Sequence, residues 1–300
     1  MTDESSQPAH ASSVSESVFA TVGIVGLGLI GGSIALAVRE AMPSTRLIAV
    51  DHPSVLDAAR TAAVIDEGSG ELSVLADADL VILAAPVRQN LDVIGRLADH
   101  LKPTAIVTDV GSTKRDIVLA AAQVPAGRLT FVAGHPIAGA ALGGLQHARA
   151  DLFRNRPWLV TPTPSAPETA VNRVLAFAAA LGATPSVMTL ADHDRVFAFV
   201  SHLPQLVVSA MMAVAGNAVG TDGLALAGRG LLDTTRLASS PSDIWRDVAL
   251  VNADQIAPAL DALIASLLSL RDDLQHGERL AEVFADAARW RDELVSHSTL

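Results

Sequence analysis

Three stretches of this chain combine residue types and spacings that can do chemistry. The first is Gly23-Ile-Val-Gly26-Leu-Gly28-Leu29-Ile30-Gly31-Gly32-Ser33, followed by Asp51 at the end of the next apolar run. In such a fingerprint Gly26 makes the tight turn, Gly28 lets backbone approach a pyrophosphate, and Gly31 lets a helix pack on its strand. Leu29 and Ile30 open that helix, whose free N–H groups face the phosphates. Asp51 stands where a carboxylate holds both ribose hydroxyls, and a carboxylate repels a 2′-phosphate. His52, Pro53 and Ser54 follow it, and no Arg or Lys occurs before Arg60. The expected cofactor is therefore NAD rather than NADP.

The second stretch is Asp109-Val-Gly-Ser112-Thr113-Lys114 and the third is His135-Pro136-Ile137-Ala138-Gly139. A histidine at a strand exit, fixed by proline and flanked by glycines, suits a general base held in a cleft. The competing reading of His135 is a structural histidine. Ser112 stands near a helix start, where capping is the competing role.

These residues need a parallel sheet to bring them together, because ligands of open α/β sheets bind beyond the carboxyl ends of the strands. The first half of the chain supplies the strands. Apolar runs at Val22–Val25, Arg46–Val50, Leu80–Ala84, Ala105–Thr108, Phe131–Gly134 and Trp158–Thr161 read as parallel strands buried on both faces. Their ends carry Asp51, the Ala85-Pro86 turn, Asp109 and His135, so Ala85, Pro86 and Asp109 join the fingerprint as expected cofactor contacts. An alanine-rich helix spans about 168–181, and Thr184–Met188 closes the sheet. From 189 the pattern is helical. Ser240-Pro241-Ser242-Asp243 is a helix start, and leucines from 260 to 274 recur at helical spacing. The expected organisation is a polar tail (1–18), a Rossmann-type doubly wound α/β domain (19–188) and an all-helical domain (189–300).

Composition narrows the function classes. A net charge of −11 argues against a nucleic-acid surface. The absence of cysteine excludes disulfides, thiolate metal sites and a cysteine nucleophile. Residues 1–18 lack an apolar core of the signal-peptide type. Residues 196–221 contain no Asp, Glu, Lys or Arg, long enough to span a bilayer, yet they include His202, Pro204, Gln205 and Asn217. This segment reads as a buried helix or a helix at a dimer seam, and the chain as a soluble cytoplasmic enzyme with no membrane or nucleic-acid partner. Pro204 is expected to kink that helix.

With these residues in view the chain resembles the prephenate/arogenate dehydrogenase family of tyrosine biosynthesis. The resemblance runs from about 21 to 275. It rests on the Gly26–Gly32 fingerprint, Asp109–Lys114, Gly134–Gly139, His193-Asp194…Ser201-His202-Leu-Pro204, and Asp233-Thr-Thr-Arg236…Pro241…Trp245. It implies a dinucleotide-binding domain joined to a helical domain that forms a homodimer, and NAD-dependent oxidative decarboxylation of a cyclohexadienol. It also implies roles: His135 as base, Ser112 hydrogen-bonding the same hydroxyl, and Arg236 as cation for a substrate carboxylate. His193 and His202 would line the substrate pocket, the expected kink at Pro204 would turn Gln205 toward it, and no metal is expected. The competing role of Arg236 is an ion pair with Asp233.

Two positions depart from the family pattern. Gln205 replaces a second histidine after the Leu-Pro pair, and Ala141 stands where some relatives have a glutamate. No Asp or Glu occurs between Gly134 and Arg149, which favours prephenate over arogenate because arogenate's ammonium calls for an acid. No room is expected for a regulatory domain. A β-hydroxyacid dehydrogenase usually relies on a lysine in the helical domain, and no lysine follows Lys114. A non-enzymatic NAD-sensing regulator would need a basic or apolar partner surface, which the acidic balance does not suggest.

Overall fold

The computed structural model describes residues 18–139 and 143–298, so most of the expected tail (1–17) and Ala141 lie outside the described residues. The elements follow in the order β1 (Thr21–Val25), α1 (Leu29–Ala41), β2 (Arg46–Val50), α2 (Pro53–Thr61), β3 (Glu67–Ser69), β4 (Leu80–Leu83), α3 (Val87–Leu97), β5 (Ile106–Asp109), α4 (Arg115–Ala122), β6 (Thr130–Pro136), β7 (Pro157–Thr161), α5 (Glu168–Ala180) and β8 (Thr184–Val187). The strands form one sheet in the order β3-β2-β1-β4-β5-β6-β7-β8. The order reverses between β1 and β4, which is where a doubly wound sheet opens its ligand crevice.

The inner strands β1, β2 and β4 are almost wholly apolar because each faces two cores, whereas the edge strands β3 and β8 are largely polar or exposed. Val22, Ile24, Leu80, Ile82 and Ile106 pack on one side with Ile34 and Val38 of α1 and Val174 and Phe177 of α5. Val25, Val81, Leu83 and Val107 face the other side with Ile94 and Leu97 of α3 and Ile117 of α4. The alternation is the period of two expected of a strand.

Two expectations about the strands are corrected. Strand β7 is antiparallel to β6, and β8 runs parallel to β7 at the edge. An apolar run buried on both faces does not report direction, so the sequence pattern could not separate the two cases. Strand β6 also continues past Gly134, so His135 lies inside it opposite Leu159. Pairing with β5 ends at Val132, and pairing with β7 carries the strand on from Ala133 to Pro136.

The remaining elements are helical: α6 (Leu190–Phe197), a π-helical turn (Ala198–His202), α7 (Leu203–Leu224), α8 (Arg229–Thr234), α9 (Ser242–Val251), α10 (Ala253–Asp272) and α11 (Glu278–Ser298). The chain divides into two compact units. One runs to Asp194 and also takes Ser239–Val251; the other comprises Arg195–Ala238 and the residues from Asn252 onward. In the first unit α9 packs beside α3, and Arg115 donates to the carbonyl of Val251 at 3.0 Å.

In the second unit the irregularity near Pro204 differs from expectation. Helix runs on from α6 through the π turn into α7, so the missing N–H of Pro204 falls where the hydrogen-bond ladder changes register. The hydrogen-bond ladder is re-registered just upstream by the π turn, and α7 bends later at Gly220 (φ 62°). The charge-free segment is not a helix buried by its own chain, since Val200, Val214 and Val219 are exposed. Only its start, with His202 and Gln205, is buried. The stretch Leu190–Leu224 and α10 are long and apolar enough to cross a membrane by length and composition.

Candidate functional site

Beyond the carboxyl ends of β1, β2 and β4 lies a cavity of about 1010 Å³. It is lined by Gly26, Leu27 and Gly28, by Asp51, His52 and Ser54, and by Ala84, Ala85 and Pro86. Gly26 has φ +94°, and a Cβ there would stand 2.6 Å from the backbone nitrogen of Ala85. At Gly31 a Cβ would lie 1.9 Å from the carbonyl oxygen of Gly26, so α1 can sit this close to the turn only with glycine. A Cβ at Gly28 would meet nothing within 4 Å, leaving the turn open for a ligand to approach the backbone. Gly28 precedes α1 with no side-chain cap, so the first N–H groups of the helix remain available. Leu29 and Ile30 are partly buried against the core and do not line the cavity.

Asp51 organises this end. One carboxylate oxygen accepts from the N–H of Leu27 at 2.6 Å and the other from the N–H of His52 at 2.6 Å. A carboxylate offers about four acceptor positions, so two of them remain for ribose hydroxyls. His52 caps α2, its Nδ1 lying 2.9 Å from the Ser54 hydroxyl. Sequence reasoning missed two contributors. Asn90 is buried and donates to the carbonyl of Ala85 at 2.8 Å, shaping the turn before Pro86. Gly144, Leu145 and Gln146 close another wall of the cavity. Leu145 reaches it by lying over Gly32, where a Cβ would come within 2.6 Å of its side chain.

The ends of β5 and β6 carry a second cluster, made of side chains. His135 is 8% exposed, and its Nδ1 lies 2.9 Å from Nε2 of fully buried His193. Nδ1 of His193 lies 2.8 Å from Oδ1 of Asp194. The Asp194 carboxylate also accepts from the backbone N–H groups of Lys114 (2.7 Å) and Arg115 (2.9 Å), 80 and 79 residues away in sequence. These are the donors that the start of α4 leaves unpaired, so Asp194 caps that helix from across the fold. Neither Ser112 nor Thr113 supplies a cap at this helix, and Ser112 is half-buried beside it. His193 is positioned by its own helix start: Thr189 and Asp192 form a capping pair at α6, Asp192 donating its N–H to the Thr189 hydroxyl at 3.2 Å.

Lys114 and Asp109 support this cluster from below. The Lys114 ammonium is fully buried, pairs with Asp109 Oδ2 and donates to the carbonyl of Gly134 at 2.7 Å. Asp109 Oδ1 accepts the N–H of Gly134 at 3.2 Å. Where the β5 ladder ends, these side chains take over the backbone of β6 immediately before His135. Asp109, expected among the cofactor contacts, thus has its carboxylate engaged with Lys114, Gly111 and Gly134.

The charges shift one another. Burial lowers the Lys114 ammonium below its ordinary value, although Asp109 and Asp194 oppose this. Burial also lowers His193, helped by the Lys114 charge and resisted by Asp194. Burial alone would raise the Asp194 carboxyl, but the hydrogen bonds from His193, Arg115 and Lys114 hold it below the usual carboxylate range. His193 is therefore neutral and Asp194 anionic at neutral pH.

The second unit holds the other expected residues. Nδ1 of buried His202 lies 3.1 Å from the side-chain nitrogen of Asn252. Buried Gln205 donates to the Ser209 hydroxyl at 3.2 Å and to the carbonyl of Leu237 at 2.8 Å, which anchors the segment carrying Arg236. Arg236 is exposed in the chain alone. Asp233 pairs with Arg229 at 3.9 Å instead.

A doubly wound sheet with a glycine-lined crevice, a ribose-placed acid and a histidine chain at neighbouring strand ends defines a Rossmann-type dinucleotide-binding protein. Residues 34–187 match the family model for the prephenate dehydrogenase nucleotide-binding domain, and residues 189–286 match that for the prephenate dehydrogenase dimerization domain. The chain is 33% identical to prephenate dehydrogenase of Bacillus subtilis, covering 91% of this chain and 76% of that protein. Cyclohexadienyl dehydrogenase of Zymomonas mobilis is 30% identical, with 91% and 96% covered. Among solved structures, prephenate dehydrogenase from A. aeolicus in complex with hydroxyphenyl propionate and NAD+ superposes with a TM-score of 0.84 at 30% identity, covering 91% of this chain and 98% of that one. Synechocystis arogenate dehydrogenase gives 0.76 at 31% identity, with 91% and 99% covered. The chain belongs to the prephenate dehydrogenase family.

Proposed function

We propose that this chain is an NAD-dependent prephenate dehydrogenase, which converts prephenate to 4-hydroxyphenylpyruvate and carbon dioxide. The observation that carries the reading is the pairing of two features on one sheet edge: the glycine-lined crevice with Asp51, and the buried His135–His193–Asp194 chain. Gly26, Gly28 and the start of α1 would hold the pyrophosphate, Asp51 the ribose, and Ala85 and Pro86 the wall beside it. When bound, NAD supplies a hydride acceptor.

His135 takes the proton of the substrate C4 hydroxyl as hydride leaves that carbon, and Ser112 hydrogen-bonds the same oxygen. Loss of the ring carboxylate as carbon dioxide then sends its electron pair into the ring, and the proton held by His135 returns to the phenolic oxygen. Atoms and charge balance, and His135 ends as it began. Arg236 serves as the cation for a substrate carboxylate, with the bidentate geometry that a guanidinium provides. On this reading Gln205 holds the Arg236 segment in place, and the helical part of the chain, 189–300, contributes to substrate binding and to a homodimer. Exposed Ile264, Leu267 and Leu274 of α10 and its following turn, and Phe284 and Trp290 of α11, support such an assembly in a cytoplasmic enzyme.

Turnover of prephenate with NAD, followed at the nicotinamide absorbance, tests the activity. No turnover with either NAD or NADP overturns it. Arogenate is the second substrate to assay, because an arogenate dehydrogenase is among the similar structures. A higher kcat/KM with arogenate would reassign the substrate. Arg236→Gln is expected to raise the KM for prephenate while leaving NAD affinity unchanged.

A further inference from the structure

We propose that Asp194 is a positioning residue which, acting through His193, fixes the tautomer of His135 so that Nε2 is its unprotonated nitrogen. The inference rests on His135 being the base, and follows from which atoms can donate. A carboxylate only accepts, so the hydrogen bond between Asp194 Oδ1 and His193 Nδ1 puts the proton on Nδ1 of His193. His193 is neutral in its buried site, which leaves its Nε2 with a lone pair. That lone pair faces His135 Nδ1 at 2.9 Å, and a hydrogen bond there requires the proton on His135 Nδ1. Neutral His135 then has one nitrogen left, Nε2, and it is basic.

The orientation of the whole chain is set at its far end. Two backbone N–H groups of α4 already point at the Asp194 carboxylate, so an acceptor is required there. The same carboxylate that caps α4, which begins three residues after Ser112, thus decides which nitrogen of His135 can take a proton. Lys114 contributes by its charge, which opposes a proton on His193 and keeps the relay from filling.

The first test needs no disruptive variant. Nitrogen-15 spectra of the full-length protein with labelled histidine distinguish protonated from unprotonated ring nitrogens, and His135→Asn and His193→Asn assign the signals. The expected result is Nδ1–H on both rings near neutral pH. A His135 protonated at Nε2 in the wild type overturns the proposal, whether or not the enzyme turns over prephenate. The second test is Asp194→Asn. It is expected to broaden or invert the His135 tautomer population and to lower kcat at least about tenfold, towards the roughly 10⁴-fold that this exchange costs in a Ser–His–Asp triad. In a His193→Asn background the same exchange should change kcat by less than about threefold, because residues acting as one unit are not additive. An equal fold-loss in both backgrounds, with the His135 tautomer unchanged, would mean that Asp194 serves only as the cap of α4. Failure of prephenate turnover by the wild type would count against the assigned reaction, and the spectra would still judge the tautomer.

Discussion

At the β1–β4 side of the sheet the groups that face the crevice are mostly backbone, exposed by glycine and tied down by Asp51. At the β5–β6 side they are side chains, His135, His193, Asp194, Asp109 and Lys114, drawn from positions up to 85 residues apart. The first arrangement is local: its turn, its helix start and its acid all fall between Gly26 and Asp51. Its specificity comes from where side chains are missing. In the second, Asp194, His193 and His135 form one line of hydrogen bonds, and Lys114 with Asp109 holds the backbone beside it. A backbone cradle tolerates different ligands of one shape, whereas a side-chain relay must be complete to work at all.

The strongest way to break the comparison is at the relay's end. His135→Asn is expected to lower kcat by the roughly 10²–10⁴ typical of losing a general base, with NAD affinity and Tm near wild type. Steady-state kinetics and NAD titration check this. A nearly fully active variant would make the β5–β6 cluster a structural feature and leave the crevice as the only functional region.

The acid in the crevice should matter less, because it acts on binding alone. Asp51→Ala removes a charged acceptor, for which hydrogen bonds are worth about 1.5–3 kcal/mol, so the preference for NAD over NADP should narrow by roughly 10- to 100-fold. The ratio of kcat/KM values for the two cofactors measures it. A wild type that prefers NADP would contradict the ribose role of Asp51.

How much of each region was legible in sequence follows from the same contrast. The fingerprint, Asp51 and the Ala85-Pro86 turn were read directly, since each depends on neighbours in the chain. His135 and Ser112 were also singled out, one by its Pro and Gly context and the other by its place near a helix start. Asp194 and Lys114 lie within the His193-Asp194 and Asp109–Lys114 motifs, but nothing in either motif assigns them a role. Nothing local marks Asp194 as the cap of a helix that begins 79 residues earlier. Lys114 is separated from Asp109 by five positions, but its burial and its bond to Gly134 depend on where the β5 ladder stops. The direction of β7 was hidden for a similar reason: burial on both faces writes the same apolar run for either orientation. The exposure of the 196–221 segment was hidden because composition reports that a face is apolar, not what covers it.

Within the crevice, two glycines one turn apart should separate packing from ligand approach. Gly31→Ala places a Cβ against the carbonyl of Gly26 and is expected to destabilise by about 1–3 kcal/mol or more, since backbone yields little. Gly28→Ala meets no atom within 4 Å, so Tm should hold while NAD affinity falls several-fold. Thermal melts and cofactor titrations on the two variants distinguish them. Equal loss of Tm in both would mean that the crevice is held by packing throughout.

The smallest effect expected is on stability, and it belongs to the relay alone. Burial lowers the pKa of His193 from the ordinary 6.5 of an exposed histidine. The unfolded chain therefore binds this proton at a pH where the folded chain still excludes it. Stability from this residue is complete above about pH 6.5 and is lost as pH falls towards the folded value, with a slope of at most about 1.4 kcal/mol per pH unit. Asp194, also lowered, adds a loss of the same sign, but only below its ordinary 3.8. Between these two values the difference between wild type and His193→Asn isolates the imidazole, because asparagine retains an N–H for Asp194 but does not titrate. Denaturant melts from pH 7 to pH 4.5 should show wild-type stability falling more steeply than that of the variant. Parallel curves would mean that His193 charges freely in the fold, and a relay that charges freely cannot hold His135 in one tautomer.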